Sequence, residues 1–315
     1  MSDGAQRILI TGANGHIGQA LIEGLCAGGS KGEARRVRAL VRSERAAEQV
    51  RSLPGASAAE IVIGDYTSAD SLRQATRGCD SIVHTVGIIK EGGGATYQAA
   101  HEDTCRVLAE MAAETRARRI VYLSILGSRP DSANCCLASK GRAEAILLGG
   151  RTPVTVLRVP MVLGPDDYAS AALGAQARAK WTLLVAGGSS IQQPIDSRDV
   201  VSAILAAGRD VSSESVALDL GGPEQLAHRD LVKRAAALIG AEGPRVVPIP
   251  VMVGRLFAAV LGRVAQNPPI TPAMFEILQH DDRVDVAAAC DRLDLTLTPL
   301  DETLIFCVGP ERTAA

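Results

Sequence analysis

Aromatic side chains are nearly missing from this chain. One Trp, three Phe and four Tyr make up 3 % of its 315 residues. A core must therefore be assembled from Ala, Val, Leu and Ile, which the 47 % hydrophobic content supplies. An excess of one charge is missing too: 33 basic residues face 35 acidic ones, for a net charge of −2. That balance argues against nucleic acid or a membrane surface as the main partner. Metal-type cysteine spacing is also absent. The seven cysteines are odd in number, and the adjacent Cys135 and Cys136 suit neither an ordinary disulfide nor a zinc knuckle. No metal is expected, and the thiols fit a reduced, cytoplasmic protein. The first strand begins by Arg7, so no cleaved leader is expected. An uninterrupted apolar span is lacking. The most apolar late stretch, Val246 to Ala265, holds Pro248, Pro250, Arg255 and Arg263, which make it a poor membrane segment. An amphipathic helix covering a pocket or joining a dimer is the preferred reading of it, ahead of membrane contact. There is no internal repeat and no low-complexity tract.

What is present is punctuated by glycine. Residues Arg7 to Gly18 read RILITGANGHIG. An apolar strand (Ile8, Leu9, Ile10) runs into Gly12, Gly15 and Gly18, and a helical apolar pattern (Ile17, Leu21, Ile22, Leu25) follows at once. Strand, glycine turn and helix in that order form a dinucleotide-binding signature. Gly12 allows the tight turn, Gly15 lets backbone approach a pyrophosphate, and Gly18 lets the helix sit close on the sheet. The helix N-terminus then offers unpaired N–H groups and partial positive charge to the phosphates.

Apolar strands alternate with helical patterns as far as Gly164-Pro165. The strands are Arg7 to Thr11, Val37 to Arg42, Glu60 to Asp65, Ser81 to Gly87, Arg119 to Ile125 and Val154 to Pro160, with a seventh at Val216 to Leu220. Ala99 to Thr115 is among the helices. Near-continuous apolar strands in such alternation predict an α/β fold: a Rossmann-type, doubly wound parallel sheet covered on both faces. Residues 1–165, with 189–222 returning, form the expected cofactor domain. Residues 166–188 and 223–315 form a smaller, mainly helical lobe punctuated by Pro248, Pro250, Pro268, Pro269 and Pro272, with a substrate cleft expected between the two.

Three places carry candidate chemistry. The tip of the second strand reads VRSER, so Arg42 stands where a NAD-preferring site places a carboxylate, and the first acid is Glu44. Arg42 can pair with a 2′-phosphate, which favours NADP(H) over NAD(H). Asp65 and Tyr66 follow the third strand, where an adenine edge would lie. Ser124 ends the fifth strand, on the edge where open α/β sheets bind ligands, and Cys136 and Lys140 share a helix face at i,i+4 spacing. A hydroxyl, a lysine and a titratable thiol suit proton transfer. The same residues also read as a strand-end serine, a solvated lysine and a buried apolar thiol.

Taken together, TGANGHIG, GDYTSADSL, VHTVGII, VYLSILG, SKGRAE, VLRVPMVLGPDD and QQPIDSRDV resemble the short-chain dehydrogenase/reductase superfamily in its extended or atypical branch, over about residues 7 to 222. The nearest resemblance is to NmrA-like proteins and the NAD(P)H-binding accessory subunit of respiratory complex I. The resemblance implies that Gly12, Gly15 and Gly18 carry the pyrophosphate, with Asn14, His16 and Ile17 in the same loop. It implies that Arg42 meets the adenosine end and that Asp65 and Tyr66 flank adenine. Val86 and Gly87 would pass under the cofactor ribose. Ser124 would polarise a substrate carbonyl and Lys140 would hold the nicotinamide ribose. Pro160 and Val162 would close over the nicotinamide. One departure stands out: the family's tyrosine, four residues before the lysine, is Cys136 here. A thiol beside a lysine is expected to lose its proton, so it would not serve as the acid. Substrate groups, water, Ser124 or Tyr168 remain as proton sources.

The expected function is hydride transfer between NADP(H) and a small ketone, quinone or activated alkene, by a monomer or homodimer. The alternative is a non-catalytic NADP(H)-binding redox sensor or assembly protein, which the Tyr-to-Cys departure favours. Epimerisation or dehydration of a nucleotide sugar ranks third, because such relatives keep the tyrosine. Asp199, in a turn entering a helix, is expected to support the fold.

Overall fold

The computed structural model describes residues 6–27, 35–264 and 271–309. Pro268 and Pro269 lie outside the described residues. The chain runs through β1 (Gln6–Thr11), α1 (His16–Ala27), β2 (Arg35–Val41), α2 (Glu44–Arg51), β3 (Ala59–Ile63), α3 (Ala69–Thr76), β4 (Ser81–His84), α4 (Thr104–Thr115), β5 (Arg119–Ile125), α5 (Cys135–Leu148) and β6 (Val154–Val159). It continues through β7 (Val162–Leu163), α6 (Tyr168–Arg178), β8 (Trp181–Val185), β9 (Ile191–Gln192), β10 (Ile195–Asp196), α7 (Ser197–Arg209) and β11 (Val216–Asp219). The last elements are β12 (Leu226–Ala227), α8 (His228–Leu238), β13 (Arg245–Ile249), α9 (Val251–Val264), α10 (Pro272–Leu278), α11 (Ala287–Leu293) and α12 (Leu300–Val308).

Seven strands form one parallel sheet in the order β11-β6-β5-β4-β1-β2-β3. The strand order reverses between β1 and β4, the point at which open α/β sheets bind ligands. Alternation along the strands sorts side chains between the two faces. Leu9, Leu40, Ile82 and Ile120 pack on one face against Leu72 of α3, Leu108 of α4 and Leu147 of α5. Ile8 and Ile10 point to the other face, where α1 and α2 pack on β2 and Gly24 of α1 lies against Val201 of α7. Aliphatic side chains do fill this core; Tyr122 is its one fully buried aromatic ring among the described residues.

Two compact units result. The first comprises the described residues up to Glu91, Ala95–Arg158 and Val201–Leu218; the second comprises Gly92–Gly94, Val159–Val200 and the described residues from Asp219. Residues 189–200, assigned by the sequence reading to the cofactor domain, thus lie with the second unit. There β10 pairs with β7, and Asp199 accepts from the backbone N–H and the hydroxyl of Thr298, both at 2.8 Å. Asp199 therefore supports the fold. The second unit also carries the short ladders β9–β12 and β8–β13, and a core in which Leu163, Leu173, Leu231 and Leu304 join α6, α8 and α12. Among the described residues no helix is long and apolar enough to cross a membrane, and no group of three or more His, Cys, Asp or Glu side chains could hold a metal ion.

Arg119 ties the sheet to its last strand. Its guanidinium is buried and donates to Thr155 Oγ1 at 2.8 Å, to the Asp210 carbonyl at 2.8 Å and to the Ser212 carbonyl, with the Asp210 carboxylate 3.6 Å away. Exchange for Met keeps the stem but strands those acceptors. We expect Arg119→Met to lower stability by about 2–4 kcal/mol. Urea denaturation followed by circular dichroism measures it; a change under about 0.5 kcal/mol, the size of an ordinary surface substitution, would contradict this role.

Candidate functional site

The glycine loop sits at the carboxyl end of β1, beside the β4 crossover. Gly12 adopts φ +74°, and a Cβ there would stand 2.9 Å from Thr85 Oγ1 and 3.1 Å from the Val86 backbone nitrogen. At Gly18 a Cβ would stand 2.5 Å from the Gly12 carbonyl oxygen and 2.8 Å from Ala13 Cα. The first position is barred to side chains by conformation and crowding, the second by backbone packing. Gly15 meets only the Gly12 carbonyl at 3.1 Å, so its outer side is open. The loop is stitched by Gly15 N–H to the Gly12 carbonyl and by the Gln19 amide to the Asn14 carbonyl, while Asn14 donates to Gln49. His16, exposed, opens α1, and Ile17 is buried. First-turn N–H groups of a helix have no intrahelical acceptor, which makes this end attractive to anions.

Tyr66, which the resemblance sets beside adenine, braces the glycine loop. Its ring is buried, and its hydroxyl accepts from Gly12 N–H at 3.2 Å and donates to the Leu40 carbonyl at 3.1 Å, bracing the loop from below. Asp65 is exposed. Its carboxylate accepts from the backbone and hydroxyl of Thr67, which hold its pKa below the usual carboxylate range. Arg42 is exposed at the tip of β2, its guanidinium carbon 5.9 Å from the Tyr66 ring centroid. The next acid, Glu44, is paired with Arg51 across α2. Pro160 and Val162 fall in the second unit, Val162 opening β7.

Lys140 is the unusual residue. Asn134 caps α5 by accepting from Cys136 N–H and Leu137 N–H, and the helix is buried on most sides from Cys136 onward. Lys140 is only 4 % exposed; its Nζ donates to the Leu123 carbonyl at 3.0 Å and lies 4.6 Å from the centroid of the Tyr122 ring. Among the described residues no carboxylate pairs with it, and burial pulls its pKa below the ordinary lysine value. A Cβ on Gly87 would stand 2.9 Å from that Nζ and 3.5 Å from His101 Nε2. The chain between β4 and the next helix thus passes over the lysine with no side chain between them.

Two buried histidines and a thiol lie near the lysine, and Glu144 acts on it electrostatically. His84 is buried, its Nδ1 2.6 Å from Thr11 Oγ1, its ring stacked on Tyr122 and its Nε2 without a partner. A π-helical turn, Gln98–Asp103, brings in His101. Its Nε2 lies 3.1 Å from both the nitrogen and the oxygen of Ile88, its ring stacks on Tyr97, and its Nδ1 is buried without a partner. Burial, and then the nearby Lys140 charge, push both imidazoles down to about 3. Cys136 is fully buried, with its Sγ 3.6 Å from the Ile88 carbonyl. Burial raises its pKa to about 11 and outweighs the pull of Lys140. The expected thiolate is therefore corrected: Cys136 remains a thiol.

Ser124 also differs from expectation. Its buried hydroxyl donates to Glu144, whose other oxygen takes Arg158 Nε at 2.9 Å and Nη2 at 2.6 Å. With its one proton committed to Glu144, the hydroxyl can accept but not donate, so this geometry does not support polarising a substrate carbonyl. Glu144, His84, His101 and Tyr122 escaped the sequence reading. Glu144 was within reach, four residues beyond Lys140 on the same helix. The two histidines carry no spacing signal, because β4 and the π-helical turn bring them together only in the fold.

A Rossmann sheet with a glycine cradle at its switch point defines a dinucleotide-binding protein. The chain belongs to the NAD(P)H-binding family, which matches residues 12–218, and its relatives are atypical short-chain dehydrogenase/reductases. It is 26 % identical over 268 residues to a ceramide reductase of Caulobacter vibrioides, covering 85 % of this chain and 81 % of that protein. It is 25 % identical over 221 residues to the mitochondrial NADH dehydrogenase [ubiquinone] 1 alpha subcomplex subunit 9 of Arabidopsis thaliana, covering 68 % of this chain and 55 % of that protein. Its fold is also that of a UDP-glucuronic acid 4-epimerase from Bacillus cereus in complex with NAD, with a TM-score of 0.70 at 16 % identity over 96 % of this chain and 97 % of that one.

The buried imidazoles set a pH dependence. In the unfolded chain each titrates near 6.5; in the folded chain each stays neutral down to about 3. The unfolded state binds more protons between these values, so this stability is complete above about 6.5 and is lost as pH falls. At pH 5 each imidazole forfeits roughly 2 kcal/mol relative to neutral pH. We expect His101→Asn to shrink the difference in unfolding free energy between pH 7 and pH 5 by about that much. Urea titrations at the two values measure it, and an unchanged difference would mean that His101 titrates normally.

Proposed function

We propose that this protein is a NADP(H)-dependent reductase of the atypical short-chain type, acting on a carbonyl, quinone or activated alkene of a small organic substrate. The observation that carries the reading is Lys140, a buried lysine with no ion pair among the described residues, next to the bare backbone of Gly87. Burying a charge this way costs several kcal/mol, which a site can use when negative charge develops nearby. The residues fit a dinucleotide: the open side of Gly15 and the α1 N-terminus suit a diphosphate. Arg42 would meet a 2′-phosphate, since Glu44 is engaged with Arg51. Bound there, NADPH would supply the hydride.

The chain's own groups then have distinct tasks. Lys140 holds the nicotinamide ribose and lends positive potential to a developing oxyanion. Cys136 lines the site as a protonated thiol without turning over. With Ser124 committed to Glu144, the product proton comes from water or from the substrate itself. The relative named as a reductase supports reduction; Cys136, where a tyrosine would stand, weighs against sugar-nucleotide epimerisation.

A second reading is a non-catalytic NADP(H)-binding protein. The Ser124–Glu144–Arg158 network and the missing tyrosine favour it, because both remove groups that would handle protons. Single-turnover oxidation of NADPH with a panel of ketones and quinones separates the two. For a reductase, Cys136→Ala keeps most of the rate and Lys140→Met loses at least tenfold. Absence of oxidation with NADPH demonstrably bound would leave the second reading.

The cofactor preference has its own test. NADPH should bind more tightly than NADH, and Arg42→Ala should weaken NADPH by about 1–3 kcal/mol while leaving NADH nearly unchanged. Fluorescence titration of both cofactors measures this, and equal affinities in the unaltered protein would end the NADP(H) preference.

A further inference from the structure

The second unit carries an apolar surface that the reductase reading does not use. Helix α9 buries one stripe: Ala258 is inaccessible, and a Cβ on Gly254 would stand 2.5 Å from the Phe275 ring. Met252, Val253, Leu256, Phe257 and Val260 recur at i, i+1, i+4, i+5 and i+8, so they form a second stripe roughly opposite the first. All five are exposed, Met252 at 76 % and Phe257 at 61 %. The ladder that leads into this helix has the same character. In β8, Thr182 and Leu184 are buried while Trp181, 61 % exposed, and Leu183 face solvent. The Arg245 guanidinium of β13 rests 5.4 Å from the Trp181 ring centroid.

Arginines outnumber acids along this stretch, with Glu242 and Glu276 flanking it. Residues 243–275 contain Arg245, Arg255 and Arg263 and no Asp or Glu. Exposed Lys180 adjoins Trp181, and Arg255 is 59 % exposed, with Glu276 no nearer than 3.9 Å. A globular chain with net charge −2 has thus set Arg245, Arg255 and Lys180 beside an outward-facing apolar stripe, with Glu276 the acid paired with Arg255. An apolar face carrying Phe, Leu and Met, a neighbouring Trp and flanking cations suits the boundary between lipid headgroups and acyl chains.

We propose that α9 and the β8–β13 ladder dock this protein on anionic phospholipid bilayers, lying in the interface without spanning it. This surface lies outside the residues assigned to hydride transfer, so it stands or falls separately from that reading. It also reverses the preference that the sequence suggested for Val246 to Ala265.

The test is co-sedimentation of the full chain with vesicles of phosphatidylcholine and phosphatidylserine at 70:30, and with phosphatidylcholine alone. We expect binding to the mixed vesicles, at least tenfold stronger than to the neutral ones and weakened by salt. Leu256→Glu/Phe257→Glu should lose it at least tenfold. Val211→Glu, at a fully exposed position in the first unit, should not. Arg245→Gln/Arg255→Gln should weaken binding to mixed vesicles and leave the neutral ones unaffected. Melting curves establish that each variant folds, and wild-type binding alone decides the proposal if one does not. No binding by wild type, or equal binding to both vesicles, overturns it. So does a lipid-free dimer by light scattering that Leu256→Glu/Phe257→Glu converts to monomer, since the stripe would then be an interface between copies.

Discussion

A buried lysine at the sheet edge, with no ion pair among the described residues, is the constraint around which the candidate site is arranged. Lys140 is satisfied by a carbonyl and the face of a tyrosine ring, and everything near it has adapted to that. Two imidazoles stay uncharged, a thiol keeps its proton, and Gly87 passes overhead without a side chain. Burial holds the imidazoles and the thiol neutral; the lysine's charge reinforces that for the imidazoles and opposes it for the thiol.

His84 and the glycine loop hang on the same crossover. Thr11 ends β1 and His84 ends β4, with Gly12 and Thr85 the residues that follow. They are tied by Thr11 to His84 and by Thr85 to the Thr11 carbonyl. Tyr66 then braces Gly12 against Leu40 on the neighbouring strand. The glycine loop and the buried imidazole are thereby joined through one seam. Glu144 fixes the far side of that edge, drawing Ser124 and Arg158 together across β5 and β6.

Sequence and structure agree where local order carries the information. The strand–glycine–helix run specifies its own geometry, and every sheet strand could be read from its apolar run. Strand ends were less legible. The fourth was expected to reach Gly87 but stops at His84, because Thr85 turns to bond the Thr11 carbonyl. Site chemistry was partly legible. The i,i+4 relation of Cys136 to Lys140 was visible, yet the state of the thiol depends on burial, which spacing does not report. Ser124 looked like a ligand-facing hydroxyl until Glu144 claimed its proton. The resemblance sets Tyr66 beside adenine, and its hydroxyl lies between two backbones. In each case the decisive partner lies far along the chain or one helical turn away, and only packing selects it.

The discontinuity of the first unit has a consequence for biosynthesis. Its outermost strand, β11, is read from the message only after the forty-odd residues between Val159 and Val200, which belong to the other unit. Until β11 emerges from the ribosome, β6 is the edge of the sheet: six residues, five of them destined for full burial, with one flank unpaired. The nascent chain therefore carries an adhesive border through a long interval of translation. Arg119 waits through the same interval for the carbonyls of residues 210 to 214. Chaperone dependence and loss to aggregation should concentrate in that window. Truncation just before residue 216 should be far more harmful than its distance from the glycine loop suggests.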